Sequence, residues 1–166
     1  MEEILKELNI FLNEASLATY AGGGAKLDPE KAEAGMQELE YKDKTGRWHY
    51  KDSYAGFFQS WDREVIWFDG KPFWCQIYGG GMKKKFHKDA EFVHKTFSFL
   101  KKALSSTKEE NIFQPRGPRF FSDGDWKYEC KFKGDITGFK GNEKIKFKDK
   151  AVFTHEFVGG LFLYKG

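Results

Sequence analysis

Cysteine is scarce: Cys75 and Cys130 are the only two in 166 residues. Two thiols make neither a disulfide framework nor a metal-ligand set. An excess of charge of one sign is missing too, since 28 Lys and Arg stand against 25 Asp and Glu, a formal +3. That balance excludes a strongly basic nucleic-acid binder or an acidic tail as the starting reading, so no nucleic-acid partner is expected. No apolar run approaches the ~18 residues of a membrane helix. The opening MEEILKEL is acidic and amphipathic rather than a signal peptide. Four prolines and no Pro/Ser-rich linker leave nothing to divide the chain. A soluble, cytoplasmic single domain over residues 1–166, with no membrane partner, is the expectation. Aromatic residues are plentiful instead, at 18%, with 18 Phe, 7 Tyr and 5 Trp. A disordered chain lacks that material, and a chain of this length has room to bury it.

Periodicity places two helices. Leu5, Leu8, Leu12 and Ala15, flanked by Ile4 and Phe11, predict an amphipathic helix over about residues 2–18. Gly22-Gly23-Gly24 stops it. Phe86, Ala90, Val93, Phe97, Leu100 and Leu104 predict a second helix, ended by Ser105-Ser106-Thr107. Elsewhere the period is two: Trp48, Tyr50 and Tyr54 share one strand face, and His49, Lys51 and Ser53 the other. Asp43–Gly46, Asp69-Gly70 and Ser122–Asp125 read as hairpin connections.

A repeat suggests how these pieces are organised. Trp48, Tyr50, Tyr54 and Gly56 recur as Trp126, Tyr128, Phe132 and Gly134, and Glu64, Ile66, Phe68 and Trp74 as Glu143, Ile145, Phe147 and Phe153. The predicted fold is α+β and internally duplicated, with halves at about 2–82 and 83–166. Each half is a helix plus a four-stranded antiparallel meander, and the two helices pack on a curved antiparallel sheet.

Polar groups in phase with the aromatic faces are the candidate site residues. Asp52 shares a face with Trp48, Tyr50 and Tyr54, where a carboxylate needs a partner or has its pKa raised. Glu64 is in phase with Ile66, and Glu143 with Ile145. Gln76 lies between Trp74 and Tyr78, and His155 between Phe153 and Phe157. Few polar groups on an aromatic concavity describe a small-molecule pocket. Ordinary structural roles stand beside that reading: Asp52 capping a loop or accepting a Tyr hydroxyl, and the two glutamates reaching water. The opposite face carries Val65, Trp67, Phe73, Cys75 and Ile77, to be covered by intrachain packing or a second copy in a homodimer. No cofactor is expected: Gly22–Gly24 lacks the phosphate-loop pattern and follows a helix. No metal is expected either, because His49, His87, His94 and His155 lack ligand spacing.

The segments FLNEASLATYAGGGA, YKDSYAG, GKPFWCQIYGG, RGP at 116–118, and GDWKYECKFKGD followed by FKGNEKI resemble a bacterial and archaeal domain of unknown function, number 5680 in its series. Such domains occur alone or C-terminal to XRE-type helix-turn-helix regulators, which implies a sensor or effector-binding role. The resemblance covers nearly the whole chain and touches Thr19, Tyr20, Gly22, Asp52, Tyr54, Gly56, Glu64, Trp74, Tyr78, Arg116, Tyr128, Gly141 and Glu143. One departure is Asp62, where the F-x-G-x-E element has glycine.

The preferred reading is a small-molecule binding module. It holds its ligand against Tyr54, Trp74 and Tyr78, with Asp52 or Gln76 fixing the orientation. The alternatives are a protein-interaction or homodimerising module, and an acid/base enzyme using Asp52 or Glu64.

Overall fold

Residues 2–28, 30–106 and 112–165 are described by a computed structural model. Helix α1 (Glu2–Ala18) buries Leu8, Phe11, Leu12 and Ala15, the stripe that its spacing predicts. It ends in a reversal that only glycine fits. A Cβ at Gly22 would lie 1.7 Å from the Leu17 carbonyl oxygen, and one at Gly24 2.2 Å from that of Ala18. Four strands follow: β1 (Gln37–Lys42), β2 (Trp48–Gly56), β3 (Gln59–Phe68) and β4 (Lys71–Met82). Helix α2 (Ala90–Ser105) then leads to β5 (Phe120–Asp123), β6 (Trp126–Asp135), β7 (Gly138–Phe147) and β8 (Lys150–Leu161).

All eight strands form one antiparallel sheet, in the order β1-β2-β3-β4-β8-β7-β6-β5. This corrects the expectation of an internally duplicated pair of four-stranded meanders, which do not stand as repeated units. The reason lies at the centre. β4 and β8 pair from Trp74↔Leu161 to Met82↔Phe153, so the backbone groups of two long strands satisfy one another instead of leaving two open edges.

Local chemistry sets the connections. Asp69 and Gly70 have φ of 48° and 76°, the left-handed pair of a tight hairpin whose twist matches its strands. Between β1 and β2 the Trp48 amide donates to Asp43 Oδ1 at 3.0 Å. Lys148 and Asp149 make a similar left-handed turn between β7 and β8 without glycine (φ 47° and 61°).

Two expectations shift by a turn or a strand position. Helix α2 begins at Ala90 because the Asp89 side chain accepts the Phe92 amide at 2.9 Å, a cap that fixes the start. Phe86 therefore sits in a preceding 3₁₀ turn and stacks on Phe92 at 4.7 Å. A bulge between Ile66 and Trp67 breaks the alternation. Phe73 thus packs inward, 5.6 Å from Trp48 and 5.9 Å from Phe68, rather than outward with Cys75 and Ile77.

Both helices lie on one sheet face. Phe11 of α1 stacks on Tyr41 and Trp48, while Phe92 and Phe99 of α2 stack on Trp126. Their C-terminal ends meet where the Ser105 hydroxyl donates to the Ala21 carbonyl at 2.5 Å. No described helix is long and apolar enough to cross a membrane. The other face leaves Trp61, Ile77 and Val158 more than half exposed, at 69%, 54% and 53%.

Candidate functional site

Strand alternation turns Asp52 and Tyr54 of β2, Asp62 and Glu64 of β3, Gln76 and Tyr78 of β4, Glu143 of β7 and His155 of β8 toward the helices. Into their midst the loop before β5 sends Arg116, only 7% exposed. Its Nη1 donates to Glu64 Oε1 at 3.1 Å, and its Nε and Nη2 to Glu143 Oε1 at 3.2 and 3.1 Å. The guanidinium carbon also lies 3.9 Å from the centre of the Tyr78 ring, a cation–π contact. One cation is thus shared by two carboxylates from strands that do not touch.

The remaining oxygens of the two carboxylates are occupied as well. Glu143 Oε2 accepts from the Tyr128 hydroxyl at 2.7 Å, and its Oε1 accepts from His155 Nδ1 at 3.0 Å beside Arg116. Gln76 Nε2 donates to Glu64 Oε2 at 3.3 Å. The Tyr128 hydroxyl in turn accepts the Gly117 amide at 3.1 Å, which fixes the loop that carries Arg116. Burial works to raise the Glu143 pKa, but Arg116 first, then His155 and Tyr128, hold it at about 2. His155 is pushed down by burial, against the pull of Glu143. It is therefore a neutral imidazole with its proton on Nδ1, leaving Nε2 as an acceptor.

Asp52 has the opposite fate. Burial, then repulsion from Glu64 and Asp62, raises its pKa well above the carboxylate range. The Tyr78 hydroxyl donates to its two oxygens at 3.3 and 3.4 Å. A neutral Asp52 spares the cluster a third buried anion.

Above this network, between the sheet and the helix ends, lies a cavity of about 360 Å³. Tyr78, Arg116, Phe153, His155 and Asp62 line its sheet side, and Tyr20, Tyr54, Phe57 and Phe97 supply aromatic walls. Tyr20 meets Tyr54 edge-on at 6.4 Å, and Phe57 meets Phe97 likewise at 5.7 Å. Gly24 of the chain reversal also lines it. Lys26 and Lys101 stand at its border, their ammonium groups 5.4 Å over Tyr54 and 5.0 Å over Tyr20.

Among the described residues Asp62 is the one carboxylate on this lining. Its Oδ2 accepts the Ser60 hydroxyl at 2.9 Å, while Oδ1 is buried with no partner among the described residues. Burial raises its pKa to about 7, against the lowering by Ser60 and Arg116. Because the folded value lies above the ordinary 3.8, the folded state holds a proton that the unfolded chain has released. Stability therefore falls as pH rises from about 4 through about 7. Asp62→Asn, which removes that ionisation, is expected to stabilise the protein at pH 8 by on the order of 2 kcal/mol, about 4–8 °C in Tm. At pH 4 the gain should be near zero. Thermal melts of both proteins at the two pH values decide it; an equal effect at both would show that Asp62 does not titrate as described.

The residues singled out from the sequence thus divide. Tyr20, Tyr54, Tyr78 and His155 line the cavity. Asp52, Glu64, Gln76 and Glu143 form the polar layer around Arg116 and Tyr78, behind that lining. Trp74 lies apart, fully buried, donating through Nε1 to the Ile136 carbonyl at 3.0 Å. Arg116 enters the sequence reading only through the family resemblance, Tyr128 through that and the repeat, and neither Lys26 nor Lys101 as a site residue. Asp62 was legible: it sits one strand period before Glu64.

A sequence-family model described as Domain of unknown function (DUF5680) matches residues 52–162. That span holds β3 to β8 whole and all the residues of the Arg116 network. Neither a curated protein nor a solved structure matches the chain.

Proposed function

The chain belongs to this family of domains of unknown function, and from that premise we propose that it is a small-molecule binding module whose ligand occupies the cavity between the helix ends and the sheet. The observation that carries the reading is the cavity itself. About 360 Å³ lies within the range of small-molecule sites, and its lining is aromatic with a few convergent polar groups. The Arg116 network supports it by holding Tyr78 and His155 in fixed positions, a rigid floor of the kind that binding sites need. Asp52 and Glu64 are bonded to Tyr78, Gln76 and Arg116 and do not line the cavity, which favours the binding reading over the acid/base alternative at those two residues. The sensor or effector-binding role implied by a family found alone or C-terminal to helix-turn-helix regulators fits a binding role better than a catalytic one.

Native mass spectrometry of gently purified protein, set against its denatured mass, is the test. A reproducible added mass of a few hundred daltons or less is expected. Ser98→Trp, placing an indole at an exposed position on the cavity border, should remove it while the far-UV spectrum stays unchanged. An added mass that survives this filling would move the site elsewhere. A second reading, homodimerisation, rests on the exposed Trp61, Ile77 and Val158 of the uncovered face. It predicts a doubled mass in the same spectrum, lost in Trp61→Lys.

A further inference from the structure

Resting on the binding reading above, we propose that the cavity selects a planar aromatic anion carrying a hydroxyl or amino donor: a hydroxyaryl or aminoaryl carboxylate. Three features of the lining point to the three parts of that molecule.

The donor follows from Asp62. A buried carboxylate oxygen with no partner is costly, and folded proteins retain few such groups. Asp62 is only 6% exposed and lines the cavity, its Oδ2 is taken by Ser60, and its buried Oδ1 has no partner among the described residues. A hydroxyl or amino hydrogen of a bound molecule satisfies that oxygen. No equivalent acceptor stands on the corresponding stretch of β7, where Gly141 faces Phe132 in register. A Cβ there would lie 2.6 Å from the Phe132 Cβ, so that side of the sheet is closed by packing.

The anion follows from which cations are still unpaired. Arg116 lines the floor, but Glu64 and Glu143 already share its guanidinium. It adds no net positive charge there. Lys26 and Lys101 differ: among the described residues neither ammonium has a carboxylate partner, and Lys26 reaches only the Gln37 side-chain oxygen. Both line the cavity, over Tyr54 and Tyr20, two rings in edge contact with each other. A carboxylate placed between them gains two charge-assisted contacts. The Tyr20, Tyr54, Phe57 and Phe97 rings of the same lining match a planar ring body by edge and face contacts.

Three naphthalene probes separate the parts: 6-hydroxy-2-naphthoate with donor and anion, 2-naphthoate with the anion alone, and 2-naphthol with the donor alone. Isothermal titration at pH 8, with the full chain, is expected to rank the first about ten-fold or more above each of the others. Asp62→Ala should lower the affinity of hydroxynaphthoate to that of naphthoate and leave naphthoate unchanged. Asp62→Asn, which keeps the shape and folds at least as well, should also weaken hydroxynaphthoate selectively. Lys26→Gln with Lys101→Gln should bring hydroxynaphthoate down to naphthol. Affinities of the three probes within two-fold of one another, or an equal loss for all of them in Asp62→Ala, would overturn the assignment. So would an absence of binding by any probe. An added mass in the native spectrum would in that last case keep the cavity as a site and reject only this chemical class.

Discussion

Arg116→Met should cost about 3–5 kcal/mol of folding stability, or about 6–20 °C in Tm. The arginine is the only counter-charge between Glu64 and Glu143 among the described residues, and removing it leaves two buried carboxylates facing each other's field. Breaking one partner of a buried ionic network is far worse than losing a surface pair, because the abandoned charge stays out of water. Arg116→Lys keeps the charge but loses the fork that reaches two strands at once and the flat face laid on Tyr78. It should recover only part of the loss. Adding Glu143→Gln to Arg116→Met should return some stability, since one orphaned charge disappears.

The pH dependence gives the same prediction a second readout. Glu143 sits at about 2 against an ordinary 4.5. Its stabilising contribution is therefore complete above the unfolded value and is lost as pH falls through about 2. Without Arg116 its pKa must rise, and the onset of acid unfolding moves to higher pH. Urea melts and an acid titration of wild type and Arg116→Met measure both quantities. A loss under about 1 kcal/mol with an unmoved acid midpoint would show that the guanidinium does not hold these carboxylates.

Trp74→Ala should be comparably severe, about 3–5 kcal/mol, from the cavity left by the indole. Trp74 is fully buried, lies parallel to Phe139 at 5.7 Å, and donates its Nε1–H to the Ile136 carbonyl. Trp74→Phe keeps the ring contact but orphans that carbonyl, for about 1–3 kcal/mol. Because the indole is not part of the cavity lining, the Phe variant should retain any bound small molecule seen in the native spectrum. Retained stability combined with loss of that mass would instead make Trp74 a ligand contact.

Trp74 also illustrates why the sequence was informative about one thing and silent about another. Period two places it on the inward face with Gln76 and Tyr78, and there it lies. Phase, however, carries no depth: Tyr78 reaches a cavity, while Trp74 meets the Ile136 carbonyl of a hairpin sixty-two residues on. Helix α1 and the Asp69-Gly70 turn were legible because their determinants are local. Phe73 was misplaced because a bulge depends on the partner strand, and the helix α2 start because an Asp cap outweighs continuing periodicity. Arg116 comes from a loop, where no period exists to flag it. The pairing of Lys26 with Lys101 needs the two helix ends to meet, which no window of sequence contains.

The central β4–β8 pairing has a consequence for how the chain acquires its shape. The residues that it joins are roughly 70 to 90 positions apart, and such distant contacts make folding slow. Until β8 has been synthesised, β4 is an open edge carrying Trp74, Ile77 and Tyr78, the sort of strand that pairs with neighbouring chains. Glu64 and Glu143 likewise meet their common cation only after the sheet closes. A nascent chain released before β8 should therefore aggregate rather than wait, and the ribosome's pace over residues 83–161 becomes part of the protein's folding problem.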